Sequence, residues 1–239
     1  MSWIKLILFS CLVACGSSYA DSIKVSTGEF APYSGTGLDN KGIATQIVAG
    51  AFGLSQQRHE LEFEFLPWKR ALEYTKAGRS DVSYPYFKNS EREKEYYFSE
   101  PLYTSIGQVY GNESTQGHIE PIPYSLVCIP LGYALGSVNE IVSKYKLTLV
   151  RPNYLIQCFQ LLYKKRVEYV FANKAVAEYL VAEKLVPKPD RLYPLPFFKT
   201  LASHHLIAAK TEKNKHIIDS FNQGLAKFKQ TEQYKVLTK

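Results

Sequence analysis

Leu66 to Tyr103 reads LPWKRALEYTKAGRSDVSYPYFKNSEREKEYYFSEPLY, and this stretch decides the fold. Ala71, Leu72, Tyr74 and Thr75 recur at the spacing of one helix face. Gly78 follows where a helix end needs a residue tolerant of positive φ. Asp81-Val82-Ser83-Tyr84 is then a short β-type run, and Pro85, which has no N–H for a ladder, is expected to end it. A helix that enters a short strand ending in a loop is the α/β unit whose strand ends carry ligands. The loop from Tyr86 to Arg92 offers aromatic surface, small polar groups and a guanidinium, the group that holds a carboxylate by two parallel hydrogen bonds.

The same order of features returns 87 positions later, where Cys158 to Phe171 lies over Ala71 to Tyr84. Both copies read as helix, turn, acidic residue, strand. Two such units predict two α/β lobes of similar build rather than one continuous sheet. A cleft between lobes is then the default site.

These residues carry a resemblance. The chain resembles the bacterial extracellular solute-binding proteins of family 3, whose Thr-x-x-Arg and Phe-Ser-x-Pro-Tyr hallmarks stand here as Asn89-Ser90-Glu91-Arg92 and Phe98-Ser99-Glu100-Pro101-Leu102-Tyr103. Gly28 to Tyr33, Gly42 at the first helix, and Val170 to Asn173 extend the likeness over nearly the whole chain after residue 20. The resemblance implies an α/β, two-lobed type II periplasmic binding fold with a hinge and an inter-lobe cleft. It also implies a monomer that captures a small polar or carboxylate-bearing, amino-acid-like metabolite for an ABC permease or a membrane sensor, with no cofactor.

Composition fits that expectation. With 239 residues, 46% of them hydrophobic, the chain can bury one or two ordinary cores. Lys5, the apolar run Leu6 to Ala14 and Ser18-Tyr19-Ala20 form an export signal over residues 1–20, too short to span a membrane. The folded part is therefore expected in the periplasm. A soluble form starting near Asp21 is favoured, because Ile23 already begins a strand; Leu12 to Cys15 also resembles a lipobox that would leave a lipid on Cys15. Lys and Arg total 29 against 22 Asp and Glu. Leaving out Lys5 gives 28 minus 22, or +6, spread through helices rather than gathered in a stripe, and this argues against a nucleic-acid partner.

Beyond Cys11 and Cys15, Cys128 and Cys158 remain, and in an oxidising compartment they are disulfide candidates. They are too far apart for a local C-x-x-C pair, and the histidines show no H-x-x-x-H, so no metal site is expected.

The first lobe is expected at 21–107, completed by 202–239, and the second at 108–201. Strands are expected at Ile23–Ser26, Leu61–Phe65, Asp81–Tyr84, Leu126–Ile129, Thr148–Arg151 and Glu168–Phe171. Helices are expected at Ile43–Gly53 and Lys69–Ala77, from about Ser137, Tyr154 and Ala175, and at the C-terminus from Lys215. The chain should cross between lobes near Gln108–Gly111 and again near Phe198–Ala202.

For the site, Arg92 resembles the arginine that holds the ligand carboxylate in amino acid binders, against the plainer role of pairing with Glu91 or Glu95. Phe30, Tyr33, Trp68 and Tyr86 fall at strand ends or loops where flat rings can sandwich an apolar group. Gly132-Tyr133-Ala134 is expected to open a helix whose amides, with Tyr133, complete the grip on an anion. Asn89 stands for the family's threonine. Asn173 stands where amino acid binders resemble one another in carrying an aspartate for the ligand ammonium, and a neutral amide there weakens the case for a zwitterionic amino acid. A second class is an enzyme on the same fold, resembling cyclohexadienyl dehydratases, with Glu168 as proton donor. A third is a sensing input for a receptor. No G-x-S-x-G, H-E-x-x-H or P-loop is present.

Overall fold

The computed structural model describes residues 22–57, 59–131, 133, 135–136, 138–186 and 191–238. The expected signal segment, Cys11, Cys15, Asp21, Gly132, Ala134 and Ser137 lie outside the described residues. Nine strands and eight α-helices alternate among the described residues. The first lobe opens with β1 (Ser22–Thr27), α1 (Ile43–Gly53), β2 (Glu60–Phe65), α2 (Trp68–Lys76) and β3 (Val82–Phe87). A short α3 (Ser90–Glu95) and β4 (Tyr96–Phe98) lead into β5 (Tyr103–Gly111). The second lobe repeats the pattern with β6 (Leu126–Cys128), α4 (Val138–Lys144), β7 (Thr148–Val150), α5 (Leu155–Tyr163), β8 (Tyr169–Asn173) and α6 (Lys174–Ala182). The chain returns along β9 (Tyr193–Ala209) and closes with α7 (Glu212–Phe228) and α8 (Glu232–Leu237).

The strand order is β2-β1-β3-β9-β5-β8-β6-β7, with β4 also on β9. β2, β1 and β3 are mutually parallel, as are β8, β6 and β7, while β5 and β9 run antiparallel to their neighbours between the two sets. The expectation of two sheets with a break between them is therefore corrected. The backbone N–H and C=O groups of both crossing segments are satisfied by pairing them with each other, so the ladder runs unbroken from lobe to lobe. Its register shifts between Gln108 and Val109, which face Lys199 and Leu195.

Three further expectations change. β3 does not stop at Pro85 but continues to Phe87. Its pairing with β9 skips from Ser83 to Tyr86, so the proline sits where no ladder donor is required. α7 begins at Glu212 rather than Lys215, because the Thr211 side chain accepts the Asn214 N–H at 3.2 Å and caps it. The helix near Tyr133 begins only at Val138, so Tyr133 lies in the loop before it.

α7 packs on α1, burying Ile47, Val48, Ala51 and Phe52 against Phe221, Leu225 and Phe228. At roughly 1.5–3 kcal/mol for each fully buried large side chain, this is a principal stabilising contact of the first lobe. In the second lobe a Cys128–Cys158 disulfide ties β6 to α5, with Cα atoms 5.4 Å apart. Closing that loop contributes roughly 3–4 kcal/mol on the chain-entropy model.

Candidate functional site

The family-like segments meet where β3, β5 and β9 run side by side. Gly28 opens the first-lobe wall, since a Cβ there would stand 2.6 Å from the Trp68 indole, so only glycine lets that ring lie on the backbone. Phe30 then stacks on Tyr33 at 5.4 Å and meets Trp68 edge-on at 6.1 Å. Trp68 in turn meets Tyr86 edge-on at 5.8 Å. Gly42, at φ +96°, lets α1 start hard against the Tyr33 carbonyl, 2.6 Å from where a Cβ would be.

Arg92 lies beside this cluster. Its guanidinium sits over the Tyr86 ring at 5.1 Å and Nη1 donates to the Phe87 carbonyl at 2.9 Å. Glu95 is engaged by Lys76 at 2.6 Å and Glu93 by Lys88 at 3.0 Å; among the described residues no carboxylate lies within 4 Å of Arg92. Burial pulls the Arg92 pKa below the ordinary arginine value, and the same burial pushes the Tyr86 phenol up to about 12. A desolvated guanidinium still carries its charge and several N–H donors. Chemically it is prepared for an anion.

Two adjoining cavities open at Arg92. A small inner one of about 50 Å³ is walled by Phe30, Trp68, Tyr86, Phe87, Tyr133 and His204 with Arg92 at its edge. A larger one of about 1150 Å³ runs outward between the lobes and includes Asn89, Arg92, Tyr133, Arg151, Ser203 and His205. Six of the sequence-expected residues, Phe30, Trp68, Tyr86, Asn89, Arg92 and Tyr133, bound one or both. The other two do not. Tyr33 and Asn173 are buried, and Asn173 Oδ1 accepts the Val176 N–H at 3.3 Å to cap α6. Asn89 plays the same capping part for α3, accepting the Arg92 N–H at 2.8 Å, so the amide serves the helix start as a threonine would. Glu168, weighed as a proton donor, accepts the Leu126 N–H at 2.7 Å and lies off both cavities.

The Phe98-to-Tyr103 motif acts through β9. Ser99 Oγ accepts the Leu206 N–H at 3.0 Å, the Ser99 carbonyl accepts from His205 Nδ1 at 2.7 Å, and Glu100 N–H donates to Asn222 at 2.8 Å. Tyr103 lies between Tyr33 at 4.4 Å and the His204 ring at 4.5 Å. His204 Nε2 bonds Ser105 Oγ at 2.7 Å, while Nδ1 and the Tyr103 hydroxyl are buried with no partner. Burial holds the His204 pKa down to about 3, so the ring is neutral at ordinary pH.

His204, His205 and Arg151 were not singled out by the sequence reasoning. A histidine pair inside the apolar run Leu201 to Ala209 signals a buried polar group. Arg151 directly follows a parallel strand, the position from which such sheets present ligand-binding groups.

The model of the bacterial extracellular solute-binding proteins, family 3, matches residues 25–239. The chain belongs to that family. The solved structures it resembles include a histidine kinase sensor domain with similarity to periplasmic binding proteins, 15% identical over 91% of this chain and 94% of that one at a TM-score of 0.77. An ancestral arginine-binding protein bound to arginine is 17% identical over 90% and 96%, at 0.75. An ancestral amino-acid-binding protein described as a precursor of cyclohexadienyl dehydratase is 16% identical over 90% and 93%, at 0.71. At these identities the structures establish the periplasmic binding protein fold. No curated protein matches the chain. Among the described residues no helix is long and apolar enough to cross a membrane.

Proposed function

We propose that this protein is a periplasmic solute-binding protein that captures a small carboxylate-bearing metabolite in its inter-lobe cleft and delivers it to an ABC importer. On this reading the lobes are residues 21–107 with 202–239, and 108–201, hinged where β5 and β9 cross. Hinged closure then traps the ligand. The observation that carries the proposal is Arg92: a half-buried guanidinium with no carboxylate within 4 Å among the described residues, opening onto an aromatic-walled cavity. The aromatic rings would take the ligand's apolar part and the guanidinium its carboxylate. Delivery to a membrane sensor is a second reading, favoured by the likeness to a kinase sensor domain. The enzymatic reading has less support, since Glu168 accepts a backbone N–H of β6 and lies off both cavities.

The test is a thermal-shift screen of the purified protein against amino acids, polyamines and small carboxylates, repeated with Arg92→Ala. Compounds that bind only the folded state raise Tm by mass action. Carboxylates should raise Tm of the wild type and not of the variant, whose own Tm should be nearly unchanged. A response to polyamines alone, or a variant that still responds to carboxylates, would overturn the assignment. Consumption of the compound would point to the enzyme.

A further inference from the structure

We propose that the cleft selects a small dicarboxylate lacking an ammonium group, with one carboxylate on Arg92 and the other on Arg151. The inference rests on the carboxylate-binding reading above and names its ligand class. The two arginines come from different lobes, one from the start of α3 and one from the end of β7, yet both bound the same 1150 Å³ cavity. Arg151 is held in place from behind. Its Nη2 donates to the Pro130 carbonyl at 3.1 Å and the Tyr133 carbonyl at 3.2 Å, the loop that also presents Tyr133 to the cleft. Those bonds occupy one nitrogen of a five-donor fork. Its Nε is buried without a partner, and among the described residues no carboxylate lies within 4 Å.

The cavity wall carries Lys88, Arg92, Lys94 and Arg151 against Glu91 and Glu95. Glu95 is already drawn to Lys76 at 2.6 Å, and Glu91 is exposed. A ligand ammonium therefore finds no buried counter-charge, since Asn173 is neutral, lies off both cavity walls and has its Oδ1 engaged by the α6 cap. A second negative charge, by contrast, meets a fixed guanidinium on the opposite lobe. Such a ligand gains its full binding only when both lobes reach it, and so it favours the closed cleft.

The experiment is titration calorimetry with succinate, glutarate, butyrate and L-glutamate on the wild type, Arg151→Gln and Arg92→Gln. A dicarboxylate should bind the wild type at least tenfold more tightly than butyrate or L-glutamate. Arg151→Gln should weaken the dicarboxylate at least tenfold and leave butyrate within twofold, whereas Arg92→Gln should weaken both. Equal weakening of butyrate and dicarboxylate by Arg151→Gln would overturn the proposal, assigning Arg151 to positioning the Tyr133 loop alone. Butyrate or L-glutamate binding through Arg92 as tightly as the dicarboxylates would overturn this inference and leave the proposed function standing. Indifference of every carboxylate to Arg92→Gln would overturn both.

Discussion

Residues 71–87 and 158–173 carry out the same construction twice. Gly78 at φ +69° and Lys165 at φ +54° end α2 and α5 at equivalent positions. Arg79 N–H donates to Tyr74 O and Arg166 N–H to Leu161 O, both at 2.9 Å. Asp81 then accepts the Lys24 N–H at 2.9 Å, and Glu168 accepts the Leu126 N–H at 2.7 Å, so each acid tethers the start of its strand to the neighbouring parallel strand. The units diverge at two places. Where the first lobe joins strand to helix through Ser26 Oγ, 3.3 Å from the Ala71 carbonyl and 3.2 Å from Thr75 Oγ1, the second has Cys128 bonded to Cys158. Beyond the strand, the second lobe reaches its capping Asn173 at once, while the first adds a Pro-containing aromatic turn before its capping Asn89. The residue three past the cap is Val176 in one lobe and Arg92 in the other. Of these two equivalent strand ends, only the first carries an arginine at the cavity.

The largest effect expected from this comparison is at the covalent strut. Replacing Cys128 and Cys158 together by serine should lower unfolding free energy by roughly 3–4 kcal/mol in urea titration. If oxidised and reduced wild type unfold at the same urea concentration, the disulfide adds nothing that the Ser26 bond does not.

The crossing strands differ between lobes as well. On the first-lobe side β9 carries His204 and His205, and on the second-lobe side it carries buried Leu195 and Phe198. His204 has a folded pKa of about 3 against an ordinary 6.5, so below pH 6.5 the unfolded chain takes up a proton that the folded one does not. Its stability contribution is present above pH 6.5 and is lost as pH falls toward 3. At about 1.4 kcal/mol per pH unit, this amounts to about 2 kcal/mol between pH 6.5 and 5. His204→Gln should flatten that part of the pH profile; an unchanged slope would place the dependence elsewhere.

The equivalence of the two acids gives a smaller effect. Asp81→Asn and Glu168→Gln should each cost about 1–2 kcal/mol, because each weakens one charge-assisted bond to a backbone N–H; the ion pair that Asp81 also makes with exposed Lys213 at 2.9 Å adds little. A loss of ligand binding in Glu168→Gln at unchanged stability would break the equivalence and return Glu168 to the cleft. Smallest is Ser26→Ala, expected to cost about 1 kcal/mol by chemical denaturation, well below the disulfide it parallels.

Much of this was legible from local pattern. The 87-residue offset, the turn after each helix and the acid before each strand are local features, and the short strands Thr148–Val150 and Tyr169–Asn173 stand within two residues of expectation. β9 was the main omission among strands. Its 17 residues alternate poorly, with two prolines and two histidines, because it is buried by different neighbours along its length and has no single face to repeat. α8 was missed for the opposite reason: six residues are too short to show a period, and Tyr234 is tied to Leu102 O at 2.9 Å by tertiary contact.

The amino-acid sequence by itself determined the family, the two α/β units, the cysteine pair and the placing of Arg92 at a strand end, because hydrophobic period, turn chemistry and motif spacing act over a few residues. The tertiary structure decided which polar groups are spent and which face the cleft. Asn173, Glu168 and Asn89 satisfy backbone donors, and Arg92 and Arg151 meet one cavity from opposite lobes. Those outcomes depend on partners far apart in the chain, and a buried polar group takes its role from whichever partner the fold brings within hydrogen-bond reach.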